Sequence, residues 1–250
     1  MDLIGNTMLI TGGGSGIGAG LATSFHRLGN KVIVAGRKRG PLMALVQAHP
    51  GMEAMELDIS DPNSIENAAS LIAHKHPSLN VLINNAGIML ADDAANPMDD
   101  VTAVSQITTN LLGPIRLTSA LVPLLRRQPR AHIVYNTSSL GYTPLAAFAI
   151  YSATKAALHS YVLSQRFLLK DSRVSVQEIV PPWVGTGLFG PSNHPLAMDL
   201  DKFIGDLMAL LSTDDPEIVV NEAKTQRENV GPNEHSYVDK INTFFLGQSY

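Results

Sequence analysis

Short apolar runs alternate along this chain with longer stretches whose apolar positions recur at helical spacing. The first run, Met8-Leu9-Ile10, enters a glycine-rich turn, Thr11-Gly12-Gly13-Gly14-Ser15-Gly16-Ile17-Gly18, and an amphipathic stretch follows over residues 17–28. Gly29 then stands where a helix C-cap is expected, and residues 31–35 read as a second strand. Further runs at residues 54–57, 81–83, 133–135, 174–180 and 218–220 are separated by helix-length segments. Strands alternating with helices predict an α/β fold: a Rossmann-type, doubly wound parallel sheet of about seven strands with helices on both faces.

One segment breaks the rhythm. Residues 181–195 are rich in proline and glycine yet carry apolar Trp183, Leu188 and Phe189. They follow a strand end on the side where such sheets bind ligands, so a substrate-covering loop is expected near residues 183–200. No repeat, low-complexity tract or composition shift marks a linker, and residues 1–250 read as a single domain.

Composition narrows the classes of function. Hydrophobic residues make up 45% and charged residues 16%, a soluble globular balance. The formal charge of −4 comes without any Lys/Arg-rich run, which argues against a nucleic-acid partner. There is no cysteine, which excludes disulfides, thiolate catalysis and cysteine-held metals, and fits a reducing compartment. The first residues, Met1-Asp2-Leu3-Ile4-Gly5, lack the succession of a signal peptide, and no apolar run approaches a membrane span. A cytoplasmic protein is expected. The eight histidines show no metal-ligand spacing, so no metal is expected, and Asp92, Asp93, Asp99 and Asp100 read as a solvated face or helix start.

The glycine turn lies between a strand and a helix, and its spacing Gly12-x-x-x-Gly16-x-Gly18 makes a phosphate site. Glycines let the backbone turn and let a pyrophosphate approach, while the helix N-terminus presents unpaired N–H donors. No Gly-Lys-Ser/Thr follows, which disfavours Walker-type ATP binding. At the end of the second strand an NAD site places a carboxylate for the ribose 2′-hydroxyl; here Gly36 stands there, followed by Arg37 and Lys38. A guanidinium can grip a 2′-phosphate bidentately and no acid opposes it, so NADP(H) is expected over NAD(H).

Tyr151 and Lys155 stand four residues apart, on one side of a helix expected from Tyr151 to about residue 170. A free phenol has a pKa of roughly 10, and moving it to about 7 takes roughly 4 kcal/mol of preferential phenolate stabilisation. One ammonium about 4 Å away, at an effective dielectric of about 20, supplies approximately that amount. Ser138 and Ser139 follow the run at residues 133–135, and either hydroxyl can donate to a substrate carbonyl. Leu145, Tyr142, Trp183, Leu188 and Phe189 point to a largely apolar substrate pocket.

Taken together and in order, Thr11 to Gly18, Asp58, Asn84-Asn85-Ala86-Gly87, Asn110, Ser138, and Tyr151 with Lys155 resemble the single-domain short-chain dehydrogenases/reductases over nearly the whole chain. Residues 5–11, 109–118 and 151–161 look most like the DltE-type oxidoreductases of that family. The resemblance implies a catalytic set of Asn110, Ser138, Tyr151 and Lys155, and it selects Ser138 over Ser139 as the carbonyl-holding hydroxyl. Tyr151 would exchange the proton. Lys155 would acidify it and bind the nicotinamide ribose, and Asn110 would help anchor a water chain to Lys155. Cofactor contacts are implied at Gly12, Gly14, Ser15, Gly16, Ile17 and Gly18, at Arg37 and Lys38, and at Asp58 and Ile59. Others are implied at Asn85, Ala86 and Gly87, at Tyr151 and Lys155, and at Pro181, Val184 and Thr186. Asp58 would bind the adenine, and Asn84 would stiffen the central sheet. The family usually has Pro-Gly after the sixth strand, where this chain has Pro181-Pro182; the missing donor at Pro182 weakens the inference at Val184 and Thr186. The implied activity is reversible hydride transfer between NADP(H) and a carbonyl or secondary alcohol, by a homodimer or homotetramer joined through helices around residues 101–125 and 152–170. The alternative is a catalytically silent, nucleotide-sensing interaction protein that keeps the fold.

Overall fold

The computed structural model describes residues 1–247; the last three residues of the expected 1–250 domain lie outside them. Seven parallel strands form one sheet: β1 (Thr7–Thr11), β2 (Lys31–Gly36), β3 (Glu53–Glu56), β4 (Val81–Asn84), β5 (Ala131–Asn136), β6 (Val174–Val180) and β7 (Glu217–Val219). Their spatial order is β3-β2-β1-β4-β5-β6-β7. Succession reverses between β1 and β4, which opens a crevice beyond the C-terminal ends of those strands. The helices between them are α1 (Gly16–Arg27), α2 (Arg39–Ala48), α3 (Pro62–Lys75), α4 (Asp100–Ile107), α5 (Gly113–Leu125), α6 (Ala149–Leu169), α7 (Leu200–Leu211), α8 (Asn221–Glu228) and α9 (Glu234–Leu246).

Side chains alternate across each strand, and the core divides accordingly. Met8 and Ile10 join Leu21, Phe25, Phe203 and Leu207 on one face of the sheet. Leu9 joins Ile72, Leu117, Leu121, Leu158 and Val162 on the other. A sheet buried on both faces needs continuous apolar strands, which is why the runs read so clearly in the sequence. The expected α/β doubly wound fold is the one found. Boundaries at 54–57 and 218–220 are each one residue late, because β3 and β7 are short edge strands.

Local chemistry sets the helices that matter for the site. Gly29 takes φ 82°, a left-handed conformation that ends α1. Asp92 lies before α4, yet its carboxylate accepts the N–H groups of Ala149 and Ile150 at 3.1 and 3.0 Å, capping α6. Asp99 caps α4 by accepting from the Val101 N–H. Between α4 and α5 the helix widens to a π turn over Thr108–Leu112. Pro114 explains it: proline has no N–H and its ring clashes with the carbonyl four residues back, here that of Asn110. Residues 181–199, between β6 and α7, are irregular, pinned by a parallel bridge from Val184 to Met198 and by an N–H donated from Gly185 to the Met198 carbonyl at 2.9 Å. No helix among the described residues is long and apolar enough to cross a membrane.

Candidate active site

Two adjacent cavities lie over the C-terminal ends of the central strands. The larger, about 330 Å³, is bounded by Ser138, Tyr151 and Lys155 and by the loop residues Trp183, Leu188 and Phe189. The second, about 270 Å³, lies at the end of β2, among Gly36, Arg37, Lys38, Leu57 and Ile59. Gly12, Ser15, Ala86 and Gly87 line both, so the glycine turn is the floor between them.

That floor is shaped by the absence of side chains. Gly12 has φ 64°, and a Cβ there would stand 2.9 Å from Ala86 Cα. A Cβ on Gly18 would meet the Gly12 carbonyl oxygen at 2.3 Å, so Gly18 serves the close packing of helix on turn rather than the cavity surface. Ser15 is the N-cap of α1 and makes no side-chain cap bond; Ser15, Gly16 and Ile17 line the larger cavity where the first-turn N–H groups lack intrahelical partners. Opposite, Thr186 approaches so closely that a Cβ on Gly16 would lie 3.0 Å from its Cβ. Asn85 braces the floor. Its backbone N–H reaches Thr11 Oγ1 at 2.9 Å, its amide donates to the Thr11 carbonyl at 2.9 Å, and its Oδ1 accepts from Asn136 at 2.8 Å. Such a trough, with a helix N-terminus at its middle and two cationic side chains at one end, fits an extended dinucleotide.

Ser138 stands just past β5, and its Oγ accepts the Leu140 N–H at 3.1 Å. Tyr151 and Lys155 are one turn apart on α6 and both are buried. The Lys155 Nζ lies 5.5 Å from the centre of the Tyr151 ring and donates to the Asn136 carbonyl at 2.8 Å. Burial pushes the Tyr151 phenol up to about 12, with a hydrogen bond to Ser138 acting the other way. Burial likewise pushes Lys155 down to about 8, opposed by the negative charge of Glu178. Burial thus dominates the Tyr151 value, and the Lys155 ammonium is directed at the Asn136 backbone carbonyl. Asn110 accepts the Ile88 N–H at 2.9 Å and donates to the Ile88 carbonyl at 2.8 Å. It sits across Gly87 from Lys155: a Cβ on that glycine would be 3.3 Å from Asn110 Oδ1 and 3.9 Å from Lys155 Nζ. Asn84 donates to Thr118 Oγ1 at 2.9 Å, tying β4 to α5.

Residues 6–197 match the family model described as short chain dehydrogenase. The chain belongs to the short-chain dehydrogenase family. An uncharacterized oxidoreductase of Bacillus subtilis, DltE, is 40% identical over 189 residues, 75% of each chain. The NADP-dependent 3-hydroxy acid dehydrogenase of Schizosaccharomyces pombe is 29% identical over 234 residues, 91% of this chain and 90% of that one. Among solved structures, a short chain dehydrogenase from Burkholderia cenocepacia in complex with NADP shares the fold with a TM-score of 0.85 at 23% identity, covering 96% of this chain and 99% of that one. Family membership makes the protein an oxidoreductase that works with a nicotinamide cofactor.

Within this dehydrogenase two expectations change: that no acid opposes Arg37, and that Tyr142 lines the substrate pocket. Asp58 follows β3, its carboxylate accepts from the Ser60 N–H and hydroxyl at 2.9 and 2.6 Å, and its neighbours Leu57 and Ile59 line the cavity. Burial works against that carboxylate, yet the two Ser60 bonds and the Arg37 charge outweigh it and hold it below the usual range. Arg37 thus has an acid nearby. Tyr142, expected in the substrate pocket, instead turns its hydroxyl to Glu217 and His159.

Sequence reasoning also missed residues. Gln226, Ile241 and Phe245 line the larger cavity from α8 and α9, which carry no motif. His159, Glu178 and Glu217 bring ligand-type atoms within 4.8 Å of one another. They come from α6, β6 and β7, so no spacing along the chain could signal them.

Proposed function

We propose that the protein is an NADP(H)-preferring oxidoreductase acting on an uncharged, mainly apolar carbonyl compound or the corresponding secondary alcohol. The observation that carries this reading is the meeting of Ser138, Tyr151 and Lys155 at one end of a side-chain-free trough whose other end holds Arg37 and Lys38. With Gly36 in place of a carboxylate, nothing at that position repels a 2′-phosphate, and the two cations favour it. The Schizosaccharomyces relative named for NADP and the NADP-bound Burkholderia neighbour support the preference. When bound, the reduced nicotinamide supplies the hydride. Ser138 holds the carbonyl oxygen, and Tyr151 delivers the proton to that oxygen as the alcohol forms. A phenol kept protonated through neutrality by burial suits this direction. The Lys155 ammonium offsets the negative charge that develops on the departing phenolate.

Substrate class follows from the walls. Among the described residues lining the larger cavity, Lys155 is the one charged side chain, and Met89, Leu140, Leu145, Phe189, Ile241 and Phe245 supply apolar surface. A carboxylate substrate needs a second cation that this lining does not offer, which sets the chain apart from its 3-hydroxy acid relative. The loop over residues 183–200 covers this pocket, with Trp183 ring-stacked on His194 at 4.4 Å and donating its Nε1–H to the Phe189 carbonyl at 3.1 Å. We assign residues 1–250 to one domain in a cytoplasmic protein. Val101 (79% exposed), Phe167 (66%) and Leu168 (80%) on α4 and α6 support a homodimer or homotetramer joined through those helices.

A panel of ketones and aldehydes with NADPH and NADH tests the reading, with Tyr151→Phe alongside. Turnover of uncharged apolar ketones with NADPH, lost in the variant, is expected. NADPH binding without turnover on any member would return the chain to a nucleotide-sensing role.

A further inference from the structure

Behind the catalytic pair lies a set of polar side chains that the reaction above does not use. Glu178 sits within β6 with no exposed surface, flanked in the strand by Val176, Gln177, Ile179 and Val180. A carboxylate at such a place is costly unless it is hydrogen-bonded and its charge is matched. Thr137 donates its hydroxyl to Glu178 Oε1 at 2.7 Å, and His159 Nδ1 lies 2.8 Å from Oε2. Both partners border Lys155. Thr137 follows Asn136, whose carbonyl accepts the Lys155 bond at 2.8 Å, and His159 is one turn beyond Lys155 on α6.

The other charged and titratable groups nearby have partners of their own. From α6, Arg166 donates to the carbonyls of Val176 and Pro216 at 3.0 and 2.8 Å. From α8, Arg227 holds both oxygens of Glu217 on β7 at 3.0 and 2.9 Å and lies 4.7 Å from the Tyr142 ring centre. Tyr142, in the turn after β5, donates to Glu217 and lies 3.0 Å from His159 Nδ1. Because Arg227 already matches Glu217, and Thr137 and Tyr142 fill the remaining positions, the His159, Glu178 and Glu217 group is a closed hydrogen-bonded set rather than an ion site. Arg227 and Lys155 are the cations whose charges are felt with that of Glu178, and Lys155 stands one helical turn before the His159 that touches it.

We propose that Glu178 is a positioning residue for the reaction: its buried carboxylate, fixed by Thr137 and His159, is the counter-charge that keeps Lys155 an ammonium beside Tyr151. The consequence has a definite sign. Lys155 carries its proton below its pKa and loses it above, and burial has already pushed that value down to about 8. Removing the negative charge lowers the pH at which the ammonium is lost. A residue that only filled space would reduce activity without moving that pH.

The proposal rests on the Tyr151 and Lys155 reading above, and the test keeps the two separable. The log of kcat/KM for ketone reduction by the full chain with NADPH is followed from about pH 5.5 to about 9.5. Glu178→Gln keeps the shape and removes the charge, and its alkaline limb is expected to fall by about one unit. Glu178→Asp keeps the charge, and its limb is expected within about 0.3 unit of the parent. An unmoved limb in Glu178→Gln, or an equal shift in both variants, overturns the proposal. Carbon NMR of the unaltered protein gives an independent readout that needs neither a foldable variant nor activity. There the Glu178 side-chain carbon signal is expected to move in step with the Lys155 ε-carbon as pH rises, and a flat Glu178 signal overturns the pairing. A parent protein that turns over no ketone sinks the functional reading and leaves this NMR result standing or falling by itself.

Discussion

The two halves of the cleft are built by opposite means. Over β1, β2 and β4 the proposed nucleotide side is a surface made by leaving atoms out: at Gly12, Gly14, Gly16 and Gly87 no side chain covers the backbone, and Asn85 ties the strand ends together. Over β5, β6 and β7 the chemical side is made by burying polar atoms, with Ser138, Lys155 and Glu178 all largely removed from solvent. The first half solves a problem of fit, and the second a problem of charge in a medium that resists it. Adding atoms should therefore damage the nucleotide half, and removing them the chemical half.

The sharpest contrast is expected at Tyr151. Tyr151→Phe should lower kcat for ketone reduction by about 10³-fold while the Kd for NADPH, measured by titration calorimetry, stays within about threefold. In the other half, Gly12→Ala places a Cβ 2.9 Å from Ala86 at φ 64°. It should raise that Kd by roughly 30-fold and leave kcat at saturating NADPH within about threefold. A Gly12→Ala variant that bound NADPH normally would break the comparison. The pH profile probes the charged half. Since Lys155 is pushed down to about 8, kcat/KM for reduction should fall about tenfold per unit as pH rises beyond that value, and a profile level to about pH 10 would contradict it. Arg37→Ala should cut the NADPH-over-NADH preference by about tenfold without changing turnover with NADH. The smallest effect is expected at the apolar wall, where Phe245→Ala should raise KM for a bulky ketone by about fivefold and leave KM for NADPH unchanged.

Legibility followed the same division. The nucleotide half is local: a strand, a glycine turn and a helix within residues 7–27 announce themselves by period and spacing, as do Arg37 and Lys38 after β2. Tyr151 and Lys155 were legible as a pair by their spacing, whereas the choice of Ser138 over Ser139 came only with the family resemblance. Glu178 was not, since one acid in an apolar run gives no sign of its partners on α6 and β5. Ile241 and Phe245 were equally silent, because an amphipathic C-terminal helix reads as core until the fold brings it over the cavity. Tyr142 misled for a related reason: an aromatic near the site looks like pocket wall, and only the position of Glu217 on β7 turns it away. The opposition of Arg37 by Asp58 needed β2 and β3 side by side.

The central claim is a hydride passed from the nicotinamide to a carbonyl carbon while Tyr151 protonates its oxygen. Its most direct test uses NADPH carrying deuterium at C4 with an uncharged apolar ketone, the alcohol product being read by mass spectrometry. The account predicts one deuterium on the carbinol carbon with the parent protein and none above background with Tyr151→Phe. Product lacking deuterium, or equal labelling by both proteins, would contradict it.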